Sequence, residues 1–209
     1  MTIQKFPADT FTVTQGGTGL TKFNIGDLLY ANSPTTLLNL GIGSAGQKLV
    51  VNPVTGIPEW LTWPNFANIK PPNPGGVTST TSYKMMGLGS GSPAVVYTPS
   101  FTGNCFVQIQ LGCNQGTTGD GIYGNCYYGS PASSAPAFNA NTTGSTFAVL
   151  NNGVSFAANP CTSGVAYTYN CWDLLPLSVG TSYWFDVGLE CVTGGTAYIQ
   201  QVHVLIYEY

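Results

Sequence analysis

Few side chains in this sequence are of a type that does chemistry, and their spacing argues against most of what they could do. The single histidine, His203, stands in Gln201-Val202-His203-Val204-Leu205 without a serine or an acid at motif distance. A nucleophilic relay needs an imidazole bonded to the nucleophile on one side and held by an acid on the other, so a structural histidine on a strand face is expected instead. Gly87 to Ser92 reads GLGSGS, which matches neither the nucleophile elbow nor a phosphate-cradling loop, because both need a strand-to-helix turn. Among the eight acids, only Asp186 and Glu190 lie close together in the chain. They share one strand face with Gly188, where a carboxylate pair of the glycosidase kind is conceivable. The plainer reading is the solvent face of a half-buried strand, opposite Val187 and Leu189. Asp120, in Thr118-Gly119-Asp120-Gly121, lacks the ligand-rich run that calcium requires and reads as a turn residue. No catalytic residue, no metal site and no cofactor is expected, and the chain is not read as an enzyme.

Binding chemistry is better represented. Aromatic residues make up 12% of the chain and cluster at Tyr123, Tyr127 and Tyr128, at Tyr167, Tyr169 and Trp172, and at Tyr183 and Trp184. Such rings stack on sugar faces and anchor protein interfaces, because they bury much area at little rotamer cost. In strands they are also core formers. Tyr127, Tyr128, Tyr167, Tyr169 and Trp172 are the candidate receptor contacts. The loops from Ser130 to Thr143 and from Asn151 to Cys161 are better placed by position, since binding loops ride on rigid sandwiches.

These groups must be positioned by strands. No amphipathic helix of convincing length is present; Gly and Pro interrupt the chain too often, and apolar residues alternate with period two. Short strands are expected near Leu28 to Ala31 and Gln47 to Asn52, with turns at Gly16-Gly17, at Asn32-Ser33-Pro34 and over Pro53 to Pro58. A meander of strands this short buries too little alone and gains stability by packing on another domain or by winding with copies of itself. Residues 66–82, with Pro71-Pro72, Pro74 and Gly75-Gly76 followed by Ser and Thr, read as a linker.

From Tyr83 onward eight strands are expected: Tyr83 to Leu88, Ala94 to Pro99, Asn104 to Cys113, Gly121 to Tyr128, Thr146 to Leu150, Val165 to Trp172, Ser182 to Val192 and Thr196 to Tyr207. Eight is the jelly-roll number. Thr193-Gly194-Gly195 signals a hairpin between the last two. The organisation is therefore an all-β chain with a small turn-rich module at 1–65, a linker at 66–82 and a jelly-roll-like sandwich at 83–209.

Cys105, Cys113, Cys126, Cys161, Cys171 and Cys191 fit the same pattern. Cys105, Val107, Ile109, Leu111 and Cys113 share one face, and Cys191 continues that of Phe185, Val187 and Leu189. Cysteines so placed behave as small apolar residues. Bridges formed in an oxidising medium are the alternative.

Composition narrows the partners. Only 6% of residues are charged, against about 25% in ordinary domains, so solubility rests on hydroxyls and amides and much surface is expected between subunits. Five lysines, no arginine and a net charge of -3 leave no footprint for nucleic acid. No apolar run approaches the roughly 18 residues of a membrane span, and the start MTIQKFPADTFTV lacks the pattern of a secretion signal. Synthesis in a cytosol without membrane insertion is the expectation.

The segment QGGTGLTKFNIGDLLYA to GSAGQKLVVNPVTGIPEW resembles one that recurs in bacteriophage virion proteins, in tail fibres and other surface appendages. The matching positions are Gly16, Gly17, Thr18 and Gly19, then Gly26, Asp27, Leu28, Leu29, Tyr30 and Ala31, then Gly46, Leu49 and Val51, and finally Pro58 and Trp60. The second half, from MMGLG through TPSFTGNCFVQI, GTTGDGIYG and SVGTSYWFDVGLECVTGGTAYI to VHVLIYEY, resembles a C-terminal head domain of phage fibre-like proteins. What the resemblance implies is a virion protein made in the host cytoplasm and displayed on the particle surface. It further implies a homotrimer, held to other virion proteins through the first module by the motif residues Gly16, Gly17, Gly19, Gly26, Asp27, Leu28, Leu29, Tyr30 and Trp60. A fibre or spike that contacts a host-surface glycan and a capsid decoration that binds only virion proteins both fit. In such a chain the sequon Asn141-Thr142-Thr143 carries no glycan.

Overall fold

The structure, a computed structural model, describes residues 17–62, 66–72, 75–78, 82–150 and 153–209. It is all-β, and the helical content of these residues is one 3-10 turn, Ala132–Ser134. The chain divides into two units, Met1–Trp63 and Pro64–Tyr209.

The first unit is two antiparallel hairpins, β1 (Leu28–Ser33) with β2 (Thr36–Leu40) and β3 (Gln47–Val51) with β4 (Pro58–Thr62). Turn chemistry closes the second: the Asn52 side-chain oxygen accepts the N–H groups of Val54 and Thr55 at 2.8 and 3.0 Å, an Asx turn. β2 and β4 were not expected, because neither TLLNL nor PEWLT alternates cleanly; the turns fold them onto partners that do. None of the described residues of this unit is buried. Two-stranded ribbons of this kind are marginal by themselves.

The second unit is a sandwich of two sheets. Its strands are β5 (Phe66–Ile69), β6 (Gly75–Val77), β7 (Lys84–Met85), β8 (Val96–Tyr97), β9 (Asn104–Gln115), β10 (Ile122–Gly129), β11 (Ser145–Phe147), β12 (Phe156–Ala158), β13 (Tyr167–Pro176), β14 (Tyr183–Cys191) and β15 (Ala197–Glu208). One sheet runs β13-β9-β15-β5 with β6 also on β15; the other runs β11-β10-β14-β7 with β12 on β10 and β8 on β14. The pairs nest: β5 lies on β15, β7 on β14, β9 on β13 and β10 on β11, all antiparallel. A ribbon folded back on itself in this way and wrapped into two sheets is a jelly roll.

Between the sheets lies one core of inward-facing side chains. Val107, Ile109 and Leu111 come from β9, Phe185, Val187 and Leu189 from β14, and Ile199, Val204 and Ile206 from β15, with all six cysteines beside them as free thiols. Each such aliphatic or aromatic side chain contributes roughly 1.5–3 kcal/mol on burial, and the first unit has no counterpart. β15 changes parity at a bulge between Ile199 and Gln201, where one extra residue lets Ala197 and Ile199 and then Val202 and Val204 all face inward.

The structure corrects three sequence expectations. Residues 66–82 are not a linker: β5 and β6 pair with Val204–Tyr207 and Ala197–Ile199 as one broken edge strand. Pro71 and Pro72 fall in the break between the two pieces, and an edge tolerates that because it need not donate on its outer side. Thr193-Gly194-Gly195 does not close a hairpin. β14 and β15 lie in different sheets, and the positive φ of Gly194 and Gly195 turns the chain across the sandwich. The loop from Ser130 to Thr143 is not free either, since it packs on the outer side of β14. Trp184 Nε1 donates to Ser134 Oγ at 3.3 Å, and Met85 exchanges backbone bonds with Asn139 and Ala140 at 2.7 and 2.9 Å.

Candidate functional site

The motif residues of the first unit occupy its turns and joints, Gly16 lying outside the described residues. Gly26 has φ +89°, and a Cβ there would stand 2.5 Å from Ile42 Cδ1. Asp27, next in the chain, accepts the Asn24 N–H at 2.8 Å and the Asn39 side-chain N–H at 3.0 Å. Those bonds, first of all the one from Asn24, hold its carboxyl below the usual range. Trp60 ties the second hairpin to the first: its indole N–H donates to Gly41 O at 2.6 Å, and its ring lies where a Cβ on Gly43 would be. Gly19 also has positive φ, and Thr18 Oγ1 accepts the N–H of Leu20, so Gly17 to Gly19 opens with a turn. Leu28 and Leu29, 38% and 45% exposed, show their side chains to solvent, and Tyr30 is half-buried. The motif thus builds two braced ribbons with uncovered apolar side chains.

In the second unit the five expected receptor aromatics separate. Tyr127 is buried on the outer side of the six-stranded sheet with Met85 and Trp184. Tyr128, Tyr167 and Tyr169 pack against the main core, Tyr128 among Phe147, Tyr183 and Phe185, and Tyr169 on Phe156. Only Trp172 among them projects, at 56% exposure. Inward parity buried the others, because 167 and 169 share a face with Cys171 while 172 does not.

Trp172 belongs to an apolar face that sequence reading missed. On the outer side of the five-stranded sheet the strand registers align Leu174, Phe106, Tyr207 and Phe66 in one row across β13, β9, β15 and β5. The next row holds Trp172, Gln108, Leu205 and Asn68. Phe106 stacks on Tyr207 at 5.0 Å and on Trp172 at 5.8 Å between ring centroids. Phe66, Trp172 and Leu174 are each at least half exposed. Single strands disclose only an apolar residue at an outward position here or there; the row exists once β5, lost in the supposed linker, is placed beside β15. Further along the same face the residues turn polar, and a groove of about 540 Å³ is lined by Lys70, Gln110, Thr168, Gln201 and His203. His203 shares a hydrogen bond with Asn68 there.

The acids take structural posts. Asp186 is fully buried, correcting its expected solvent-facing position: its carboxylate accepts the N–H groups of Gly87, Leu88 and Val187 at 2.9, 3.1 and 2.7 Å. Burial nevertheless raises its pKa to about 7. Glu190 is only half-buried, and the two do not form a matched pair. Glu208, also fully buried, accepts four successive backbone N–H groups, Ser100 to Gly103, at 2.9 to 3.0 Å. Asp120 accepts the Thr193 hydroxyl at 2.6 Å, joining two turns. Burial pushes the Cys105 thiol up to about 12 and Cys113 higher still, which is the chemistry of inert core cysteines. Among the described residues no group of three or more His, Cys, Asp or Glu is placed to hold a metal ion, and no helix is long and apolar enough to cross a membrane.

No protein-family model matches the sequence, and no curated protein matches it. Solved structures similar in fold include T=1 particles derived from infectious bursal virus, at TM-score 0.43 and 11% identity over 82% of this chain and 37% of that one. Infectious bursal disease virus of the Gt strain gives TM-score 0.43 and 11% identity over 85% and 41%, and its VP2 subviral particle 0.40 and 7% over 83% and 40%. The chain spans less than half the length of these proteins. Likeness at this level adds nothing to the strand pairings, which define the jelly roll by themselves.

Proposed function

We propose that this chain is a structural protein of a bacteriophage virion surface, a short homotrimeric fibre or spike that acts by binding and contributes to host attachment. The observation that carries this reading is the contrast between the two units. A jelly roll with a full core stands beside braced hairpins that follow the GGTG, GDLLYA and P-x-W order of phage appendages and bury none of their described side chains. Ribbons of that kind are completed by neighbours, either copies of themselves or other virion proteins. Low charge fits an assembled surface. The particle locates the chain: density for this jelly roll on the outside of an intact virion supports the reading, and its absence from purified particles overturns it.

A second reading, a capsid decoration that binds only virion proteins, is favoured by the state of the loops. The segment over 130–143 is bonded down, and in the other expected receptor loop Val154, Ser155 and Phe156 are buried. Binding of the purified protein to host cells, competed by soluble polysaccharide, supports attachment. No binding by the assembled protein supports decoration.

A further inference from the structure

The two outer faces of the sandwich are treated differently by its own chain. On the six-stranded sheet, Met85, Tyr127 and Trp184 are covered by the segment that contains Ala135 and Phe138. On the five-stranded sheet Phe66, Tyr207, Phe106, Leu174, Trp172 and Leu205 lie contiguous by register, with Phe66, Leu174 and Trp172 at 55%, 50% and 56% exposure. From the size of such side chains these six leave on the order of 500 Å² of apolar surface open. Soluble monomers rarely show more than a few hundred Å² in one patch, and a stable interface takes roughly 800 Å² from each partner. The patch is therefore large enough to form the apolar centre of an interface and too large to be incidental.

We infer that this face is where heads of the same chain pack on one another, with Trp172 and Phe106 as the anchoring side chains. The inference rests on the proposal that the hairpins assemble copies, and it names the surface that the heads contribute. Two features select a second copy as the occupant. Three residues separate β4 from Phe66, which opens the row, so copies joined through their hairpins are obliged by the chain to bring this end of the sheet together as well. The two apolar rows also carry no charged side chain. Rows of the same kind from two chains therefore meet without burying an unpaired charge, the condition a self-complementary interface must satisfy. The stacked rings supply the flat, rigid contact typical of interface centres.

The test combines native mass spectrometry with hydroxyl-radical footprinting on the full chain, comparing wild type with Trp172→Glu and, as a second exposed position in case one variant folds poorly, Leu174→Glu. The inference expects an oligomeric wild type in which Trp172 is oxidised several-fold more slowly than in dissociated chains. It expects each variant to raise the dissociation constant by at least about tenfold, as loss of an interface anchor does. A monomeric wild type overturns the assembly proposal and this inference together. A wild-type oligomer in which Trp172 oxidises freely and both variants assemble normally overturns this inference alone. Protection of Trp172 only when a neutral polysaccharide is added overturns it in favour of a ligand platform.

Discussion

At the scale of single residues, the molecule's buried acids govern how its stability responds to change. The Asp186 carboxyl is held up near 7 by burial, against the pull of hydrogen bonds from Val187, Leu88 and Gly87, whereas in the unfolded chain it ionises near its ordinary value of about 3.9. Between those values the folded state keeps a proton that the unfolded chain has lost. Stability from this group is therefore complete below about pH 4 and falls as pH rises toward 7, by at most ~4 kcal/mol. Thermal midpoints at pH 4 and pH 8 should drop more for wild type than for Asp186→Asn; parallel drops would refute the assignment. Glu208 offers a second case, because its four backbone donors are left facing an amide when it becomes Gln. The Glu208→Gln variant should lose about 1–3 kcal/mol in urea denaturation, and an unchanged midpoint would mean the Ser100–Gly103 turn holds itself. Neither burial was read from sequence, for different reasons. Asp186 sits at an outward position and was buried by a covering segment that alternation does not reveal. Glu208 occupies the inward parity of Val204 and Ile206, so a signal was present and the polar side chain masked it.

At the scale of elements, strong alternation was legible and interruption was not. β9, β14 and β15 lie within a few residues of their expected places because long runs such as Cys105 to Cys113 leave one face to bury. β5 and β6 were hidden by Pro71, Pro72 and the paired glycines, which read as a linker although an edge strand accommodates them. The consequence is testable by truncation. A chain beginning at residue 64 should unfold cooperatively, while one beginning at residue 83 loses β5, β6 and the buried Val77, opens the edge of β15 and should aggregate or melt without a sharp transition. Equal cooperativity in the two would restore the linker. In the first unit, Gly26→Ala places a methyl against Ile42 at a positive φ and should cost about 1–2 kcal/mol. The loss should appear as a lower dissociation temperature of the assembly with the head's own transition unmoved.

At the scale of the whole molecule, one autonomous fold is joined to one dependent fold. The jelly roll contains its own core, whereas the hairpins leave Leu28, Leu29, Ile42 and Leu49 open to solvent, and the five-stranded sheet presents an aromatic row that its own chain leaves uncovered. All three observations are met by self-association, and the phage-like motif order supplies the setting. The sequence announced the motif and the dependent module; it did not announce the head's apolar face, which exists only as a relation among four strands far apart in the chain. The most direct measurement is the native mass of the full chain, whose single copy weighs 21.9 kDa, at micromolar concentration. The account predicts a species of three copies, whereas a stable monomer would contradict it.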